Sequence, residues 1–160
     1  MMKKLLLISA ALIVALDQWT KIYIKNNFEL YELRPVIDGF FSITYVLNPG
    51  AAFGMLAQLN ESYRQLFFVV ITAIAIAAVV YLMIKEKGMK MRLISYTLIL
   101  SGAVGNFIDR VYIGKVVDFL HFYYKQYQWP AFNVADMAIS VGIGLLFIDY
   151  IILKNRGENV

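Results

Sequence analysis

Four aspartates and one asparagine lie near the ends of long apolar stretches of this sequence or in the connection between two of them. Asp17 and Asp109 lie toward the ends of two apolar segments, Asp118 lies in a connection, and Asp136 begins a further apolar segment. Asn106 precedes Asp109 by three residues, or about one helical turn. Charged side chains at membrane depth are costly and normally face a bundle interior or a wet cavity. These five side chains are therefore the first candidates for a functional site.

Two carboxyl groups held close together can hydrolyse an amide without a cofactor. Because both cannot ionise at low cost, the pair shares one proton. The ionised carboxylate can take a proton from water while the protonated carboxyl donates to the carbonyl of the scissile bond. Asp118 and Asp136 have no obvious basic partner nearby in the sequence, which favours these two for this chemistry.

Local ion pairs are the alternative explanation for the other carboxylates. Asp17 precedes Lys21 by four residues, the spacing of a helical pair. Asp109 is followed directly by an arginine and could form an anchor pair with it. Asp149 falls at the opposite end of its apolar segment, near Lys154, where a solvated or paired charge is expected.

The sequence offers little for other chemistries. It has no cysteine and one histidine, His121, which excludes a cysteine nucleophile and a two-histidine zinc motif within the chain. No G-x-S-x-G turn or cofactor motif is present, and neither a metal nor a cofactor is expected. Three alternatives remain open: carboxylates that bind Mg²⁺ or Ca²⁺, a proton-coupled transporter, and a non-enzymatic assembly module.

Composition indicates a membrane protein of one domain, residues 1–160. Hydrophobic residues make up 61% of the chain and charged residues only 16%, whereas soluble domains carry about 25% charged residues. The net charge of +4 comes from short basic runs beside apolar segments, the pattern of cytoplasmic membrane anchors. No basic face is left over, so nucleic acid is not expected as a partner.

Four apolar segments approach the roughly 20 helical residues that cross a bilayer. The predicted spans are about residues 5–24, 66–84, 93–109 and 135–153. A cleavable secretory signal is the alternative for the first segment, but no A-x-A site follows it. Four crossings place both termini on one side, and the basic runs identify that side as cytoplasmic.

The two connections on the outer side differ in character. Residues 30–37 and 40–47 are β-prone and flank Asp38-Gly39, which predicts a hairpin with both turn residues at positive φ. Pro35 limits the first strand to a sheet edge. The second connection is rich in aromatic residues and is expected, with His121, along the membrane interface. Residues 155–160 are expected to be disordered.

The helical rise places the polar candidates at one depth. At 1.5 Å per residue, Asp17 lies roughly 18 Å from Leu5, in the outer half of the bilayer. Asn106 and Asp109 come near the outer end of the third span, and Asp136 begins the fourth span on the same side. The predicted fold is an all-α membrane protein of four transmembrane helices, with a small extracytoplasmic β-element and an interfacial segment.

Five short blocks of the sequence resemble the bacterial lipoprotein signal peptidase family, also called signal peptidase II. They occur in order over almost the whole chain, and together they are specific although each alone is weak. The blocks are Asp17-Gln18-Trp19-Thr20-Lys21, Asn48-Pro49-Gly50-Ala51-Ala52-Phe53, Gly105-Asn106-Phe107-Ile108-Asp109-Arg110, Val116-Val117-Asp118-Phe119 and Phe132-Asn133-Val134-Ala135-Asp136.

The resemblance implies an intramembrane aspartic endopeptidase with Asp118 and Asp136 as its catalytic dyad. The implied substrate is a prolipoprotein whose cysteine carries diacylglycerol, cut just before that cysteine. The implied setting is the bacterial cytoplasmic (inner) membrane, with the site toward the outer leaflet, contact with membrane lipids and inhibition by globomycin-type cyclic peptides. A monomer is expected. The supporting residues are Asp17, Asn48, Gly50, Asn106, Asp109, Arg110 and Asn133.

Two groups of supporting residues have more than one interpretation. The amides of Asn48, Asn106 and Asn133 are candidates to hydrogen-bond the substrate backbone, which lacks water at membrane depth. The glycines either allow a substrate backbone to approach or let helices pack closely. These glycines are Gly50, Gly54, Gly102 and Gly105.

Overall fold

A computed structural model describes residues 2–50 and 60–156 of the chain, which contain four long helices and four strands. Ala51-Ala52-Phe53 of the second sequence block, Gly54, and the last four residues lie outside this part. The elements are α1 (Met2–Asn27), β1 (Leu33–Ile37), β2 (Phe41–Asn48), α2 (Glu61–Lys85), α3 (Lys90–Ile113), β3 (Val116–Tyr124), β4 (Tyr127–Gln128) and α4 (Val134–Arg156).

The four helices are each long and apolar enough to cross a membrane. Each predicted span lies inside one of them, and α4 continues to Arg156, into the tail expected to be disordered. Large apolar side chains point outward all along the bundle, including Leu12, Ile74 and Phe147, which are 60–65% exposed. Such a surface needs an apolar solvent, as a bilayer provides. The prediction of a four-helix membrane fold is confirmed.

Helix α3 is the centre of the bundle, packing against α1, α2 and most extensively α4. Its buried side is small and polar, and its hydroxyl groups bond back to the helix. Ser95 donates to the carbonyl of Met91, and Ser101 to that of Thr97. Because the hydroxyl groups are satisfied internally, they can be buried without an unpaired polar atom.

Glycines let the backbones of neighbouring helices approach closely. A Cβ atom at Gly102 would clash with the Ala135 carbonyl of α4, and one at Gly142 of α4 would lie 2.8 Å from the Ser95 carbonyl of α3. A Cβ atom at Gly105 would lie 2.5 Å from the Asp17 carboxylate of α1. For Gly102 and Gly105 the structure therefore supports the helix-packing interpretation.

The strands form one antiparallel sheet in the order β1-β2-β3-β4, and Pro35 lies on the edge strand as predicted. The turn between β1 and β2 differs from the predicted type. Gly39 has φ of +74°, but Asp38 is not among the residues at positive φ, and Phe40 N–H donates to the Ile37 carbonyl. Positive φ at the second central position alone is the geometry of a type II turn.

The aromatic connection contributes β3 and β4, which the sequence analysis did not predict. Strand β3 pairs with β2 along most of its length. Val117 and Phe119 of β3 pack against Ile24 of α1, which fixes the sheet to the bundle. His121 lies on β3, stacked on Tyr123, and its Nδ1 atom is buried without a hydrogen-bond partner.

Candidate active site

The pairing of β2 with β3 brings Asn48 to Asp118. Asn48 pairs with Val116 in the register, and Asp118 pairs with Val46, so Asn48 and Asp118 are diagonal neighbours on one face. Asn48 Nδ2 donates to Asp118 Oδ2 over 2.9 Å. A contact between residues 70 positions apart is thus fixed by strand register.

The N-terminus of α4 orients Asp136 through a capping box. Asn133 precedes the helix, and its Oδ1 accepts from the Asp136 N–H at 2.9 Å. In return, Asp136 Oδ2 accepts from the Asn133 N–H at 3.2 Å. This reciprocal pair satisfies two backbone donors and fixes the Asp136 side chain in the first turn of the helix.

Asn133 contacts both carboxyl groups of the predicted dyad. Besides its backbone bond to Asp136, its Nδ2 donates to Asp118 Oδ1 over 2.7 Å. The structure therefore brings Asp118 and Asp136 within hydrogen-bond distance of one asparagine, although they lie on a strand and a helix. Asp118 is almost completely buried, at 2% exposure, whereas Asp136 is half-buried.

Burial raises the pKa of the Asp118 carboxyl group to about 7. Hydrogen bonds from Asn48 and Asn133 favour the ionised form and limit this rise, while the negative charge of Asp136 adds to it. A carboxyl group with a pKa near neutrality is protonated in a large fraction of molecules, so it can donate a proton.

Asn106 is the second asparagine that donates to the Asp136 carboxylate. Its Nδ2 donates to Asp136 Oδ1 over 2.8 Å, so both carboxylate oxygens of Asp136 accept hydrogen bonds. The amide groups of Asn48, Asn106 and Asn133 all donate to these two carboxyl groups. The structure thus directs these amide nitrogens at the aspartates, and hydrogen bonding to a substrate backbone stays a prediction.

Asp17 and Asp109 form buried ion pairs with one lysine. Lys21 Nζ lies 2.9 Å from Asp17 Oδ2 and 3.0 Å from Asp109 Oδ2, and its side chain is 2% exposed. The local pair between Asp17 and Lys21 was recognised in the sequence. The pair with Asp109 was not, because it joins different helices. Asp109 is thus paired with Lys21 rather than with Arg110.

Arg110 and Gly50 meet at Phe68 of α2. The Arg110 guanidinium lies 5.7 Å from the centroid of the Phe68 ring, and Arg110 donates to the Asn106 carbonyl over 3.4 Å. Gly50 has φ of +88°, and a Cβ atom there would lie 2.6 Å from the ring. The Gly50 N–H also donates to Asn48 Oδ1 over 2.8 Å, which orients the Asn48 amide.

Asp149 lies apart from this cluster, as predicted, but its partner differs. It is buried, with 6% exposure, and its Oδ2 accepts from Arg92 Nε at 2.7 Å. Of the two expected states, Asp149 is thus a paired charge, with Arg92 as its partner. Within residues 2–50 and 60–156, no group of three His, Asp or Glu side chains could hold a metal ion.

Known proteins resemble this one over nearly the whole length of the chain. The profile described as "Signal peptidase (SPase) II" matches residues 9–152. A lipoprotein signal peptidase of Syntrophus aciditrophicus is 49% identical over 148 residues, covering 92% of each chain. One of Geobacter metallireducens is 48% identical over 145 residues, covering 90% of this chain and 88% of its own.

A solved structure has the same fold. It is described as a bacterial membrane enzyme, superposes with a TM-score of 0.84 at 33% identity, and is matched over 98% of this chain and 93% of its own. The five sequence blocks, the four apolar helices and these relatives agree with one another. This multi-pass membrane protein belongs to the signal peptidase II family of lipoprotein signal peptidases.

Proposed function

We propose that this protein is an aspartic endopeptidase that removes signal peptides from prolipoproteins. In this proposal the Asp118 and Asp136 carboxyl groups activate water and cleave just before a diacylglyceryl cysteine. The observation that carries the proposal is their shared contact with Asn133, which donates to one oxygen of each. Two carboxyl groups in such a position can act as a base and an acid on one amide.

The different environments of the two carboxyl groups support a division of roles. Asp136 lies in the first turn of α4, where the helix dipole favours an anion, and both its oxygens accept hydrogen bonds. Asp118 lies on a strand, buried, with its pKa raised to about 7. We therefore assign the base that takes a proton from water to Asp136 and the acid that protonates the carbonyl oxygen to Asp118.

The charge distribution supports an orientation of the chain in the inner membrane. Lys85, Lys87, Lys90 and Arg92 lie around the connection between α2 and α3, at the end of the bundle opposite the sheet. By the positive-inside rule that end, with both termini, is cytoplasmic. The carboxyl groups then lie near the outer leaflet, where a diacylglyceryl cysteine would place the scissile bond. Contact with lipids and a monomeric state belong to the same proposal.

Cleavage of a lipidated prolipoprotein by the purified protein tests this function. The assay compares a substrate with a diacylglyceryl cysteine to the same polypeptide without the lipid, in detergent and with a chelator. We expect only the lipidated substrate to be cut, giving a product whose mass begins at the modified cysteine. Globomycin should block the reaction.

Two outcomes of that assay would contradict the proposal. Failure to cut the lipidated substrate under any detergent condition would leave a transporter or an assembly role as the better account. Cleavage that stops with the chelator and resumes with added Mg²⁺ would replace the two-carboxylate mechanism with a metal-assisted one.

A further inference from the structure

Lys21 is the most deeply buried cation of the described chain, and its ammonium group is fully used. A lysine ammonium has three N–H donors. Here they face three acceptors: Asp17 Oδ2 at 2.9 Å, Asp109 Oδ2 at 3.0 Å and Asn106 Oδ1 at 3.0 Å. The next lysine on the same helix, Lys25, is exposed and makes no ion pair within the described residues.

Two donors hold the Asn106 amide oxygen and determine which way the amide faces. Lys21 Nζ is the closer, at 3.0 Å, whereas Asn133 Nδ2 lies 3.3 Å away and also donates to Asp118. Because Lys21 can only donate, the atom it contacts must be the amide oxygen, and the amide nitrogen must then point away from it. That nitrogen donates to Asp136 Oδ1 over 2.8 Å. If the amide were turned around, an oxygen would face the carboxylate, and two acceptors would be in contact without a proton between them.

The two carboxylates that pair with Lys21 hold the backbone beside each residue of the dyad. Asp109 Oδ2 accepts from the Val117 N–H at 3.0 Å, next to Asp118. Asp17 Oδ1 accepts from the Ala135 N–H at 2.9 Å, next to Asp136. The ammonium group lies within 3.0 Å of both buried carboxylates and stabilises their charges, which would otherwise be costly to keep in place.

We propose that Lys21 is a positioning residue for the hydrolytic reaction. It acts through Asn106 to keep a hydrogen-bond donor on Asp136, and through Asp17 and Asp109 to hold the backbone at the two dyad residues. This inference rests on the proposed function. It concerns catalytic efficiency rather than substrate binding, because Lys21 and the three side chains that its ammonium group contacts are all buried.

Kinetics of a Lys21→Met variant test the proposal, with Lys25→Met as the matched control on the same helix. Methionine retains the length of the side chain and removes its donors. We expect kcat to fall by about 100-fold, the usual effect of displacing a catalytic group by about 1 Å, with KM within about threefold of wild type. Lys25→Met should have wild-type kcat and KM. Since wild-type activity is measured in the same assay, its absence would refute the proposed function instead.

A double-mutant cycle with Asn106→Ala separates positioning from a merely structural role. If Lys21 acts on Asp136 through Asn106, adding Lys21→Met to Asn106→Ala should lower kcat much less than it does in the wild type. If the kcat losses of the two single variants multiply in the double variant, Lys21 does not act through Asn106. A folded Lys21→Met protein with kcat within threefold of wild type would overturn the proposal as a whole.

A second variant keeps the test informative if Lys21→Met does not fold. Lys21→Met combined with Asp109→Asn leaves one carboxylate in the network instead of two, and the new amide oxygen can still accept from the Val117 N–H. We expect this protein to fold with a kcat at least about 30-fold below wild type, since Asn106 still lacks its closer donor, the Lys21 ammonium group. Wild-type kcat in this variant would contradict the proposal.

Discussion

Each polar group at the candidate site is defined by what it can donate or accept. Three asparagines direct their amide nitrogens at Asp118 and Asp136, and each amide oxygen is held by another donor. The Asn48 oxygen accepts from the Gly50 N–H and the Asn133 oxygen from the Asp136 N–H, while the Asn106 oxygen accepts from Lys21 and from the Asn133 amide. A carboxyl group surrounded by fixed donors keeps one geometry, which is what acid–base catalysis requires.

Asn48 provides the clearest prediction at this scale. Its hydrogen bond favours the ionised form of Asp118 and so lowers the pKa of that carboxyl group, which burial has raised to about 7. If protonated Asp118 is the general acid, kcat/KM falls as pH rises through this pKa. In Asn48→Ala the pKa rises further, and we expect the falling limb of the kcat/KM profile to move up by about one pH unit.

The control for the Asn48 experiment is Asn27→Ala, at an exposed residue that donates only to a local backbone carbonyl. Its pH profile should match that of the wild type. A falling limb that stays in place or moves to lower pH in Asn48→Ala would count against Asp118 as the acid.

The two carboxyl groups of the proposed dyad could be singled out in the sequence, but the residues that contact them could not. Asp118 and Asp136 stood out because no basic residue close in the sequence was an obvious partner. The contact of Lys21 with α3 could not be predicted, because the local pair with Asp17 already gives this lysine a partner on its own helix. The partner of Asp149 could not be predicted either, since Arg92 is 57 positions away in the sequence. Sequence spacing identifies partners only within one helix or strand pair.

At the scale of elements, the site depends on the start of α4 and on the strand β3. The helices were predictable because an apolar segment of about 20 residues is typical of a transmembrane helix. Strand β3 was missed because aromatic residues are typical both of strands and of membrane interfaces. Its partner, β2, is separated from it by the whole of α2 and α3. The position of Asp118 on a buried strand therefore could not be predicted from local sequence.

The two functions of Asn133 can be separated by substitution. Serine is also a good N-cap, so Asn133→Ser keeps the bond to the Asp136 N–H but loses the donor to Asp118. Asn133→Ala loses both. We expect Asn133→Ala to lower the free energy of unfolding by about 1 kcal/mol, and Asn133→Ser to lower it much less. Both should lower kcat/KM by about 100-fold or more, because both lose the donor to Asp118.

Thermal unfolding in detergent and cleavage kinetics, measured on the same preparations, check this prediction. Asn133→Ser with nearly full activity would show that the amide donor to Asp118 is dispensable. Equal losses of stability in both variants would argue against the capping box.

At the scale of the whole molecule, the bundle places an apolar surface outside and a charged cluster inside. Helix α3 contributes Asn106 and Asp109 to that cluster because its buried side is polar, while α1 supplies Lys21 and Asp17. The sequence predicted that these groups meet at one depth, since the helical rise converts position into height. It could not predict which faces of the helices meet, because that depends on packing at small residues such as Gly105.

The central claim is that the carboxyl groups of Asp118 and Asp136 together perform the hydrolysis. The most direct test compares purified Asp118→Asn and Asp136→Asn with the wild type on a diacylglyceryl prolipoprotein. Asp38→Asn, at an exposed turn residue, is the matched control. We expect the control to cleave at the wild-type rate and each dyad variant to lose at least about 1,000-fold while remaining folded. Near-normal cleavage by either folded dyad variant would contradict the account.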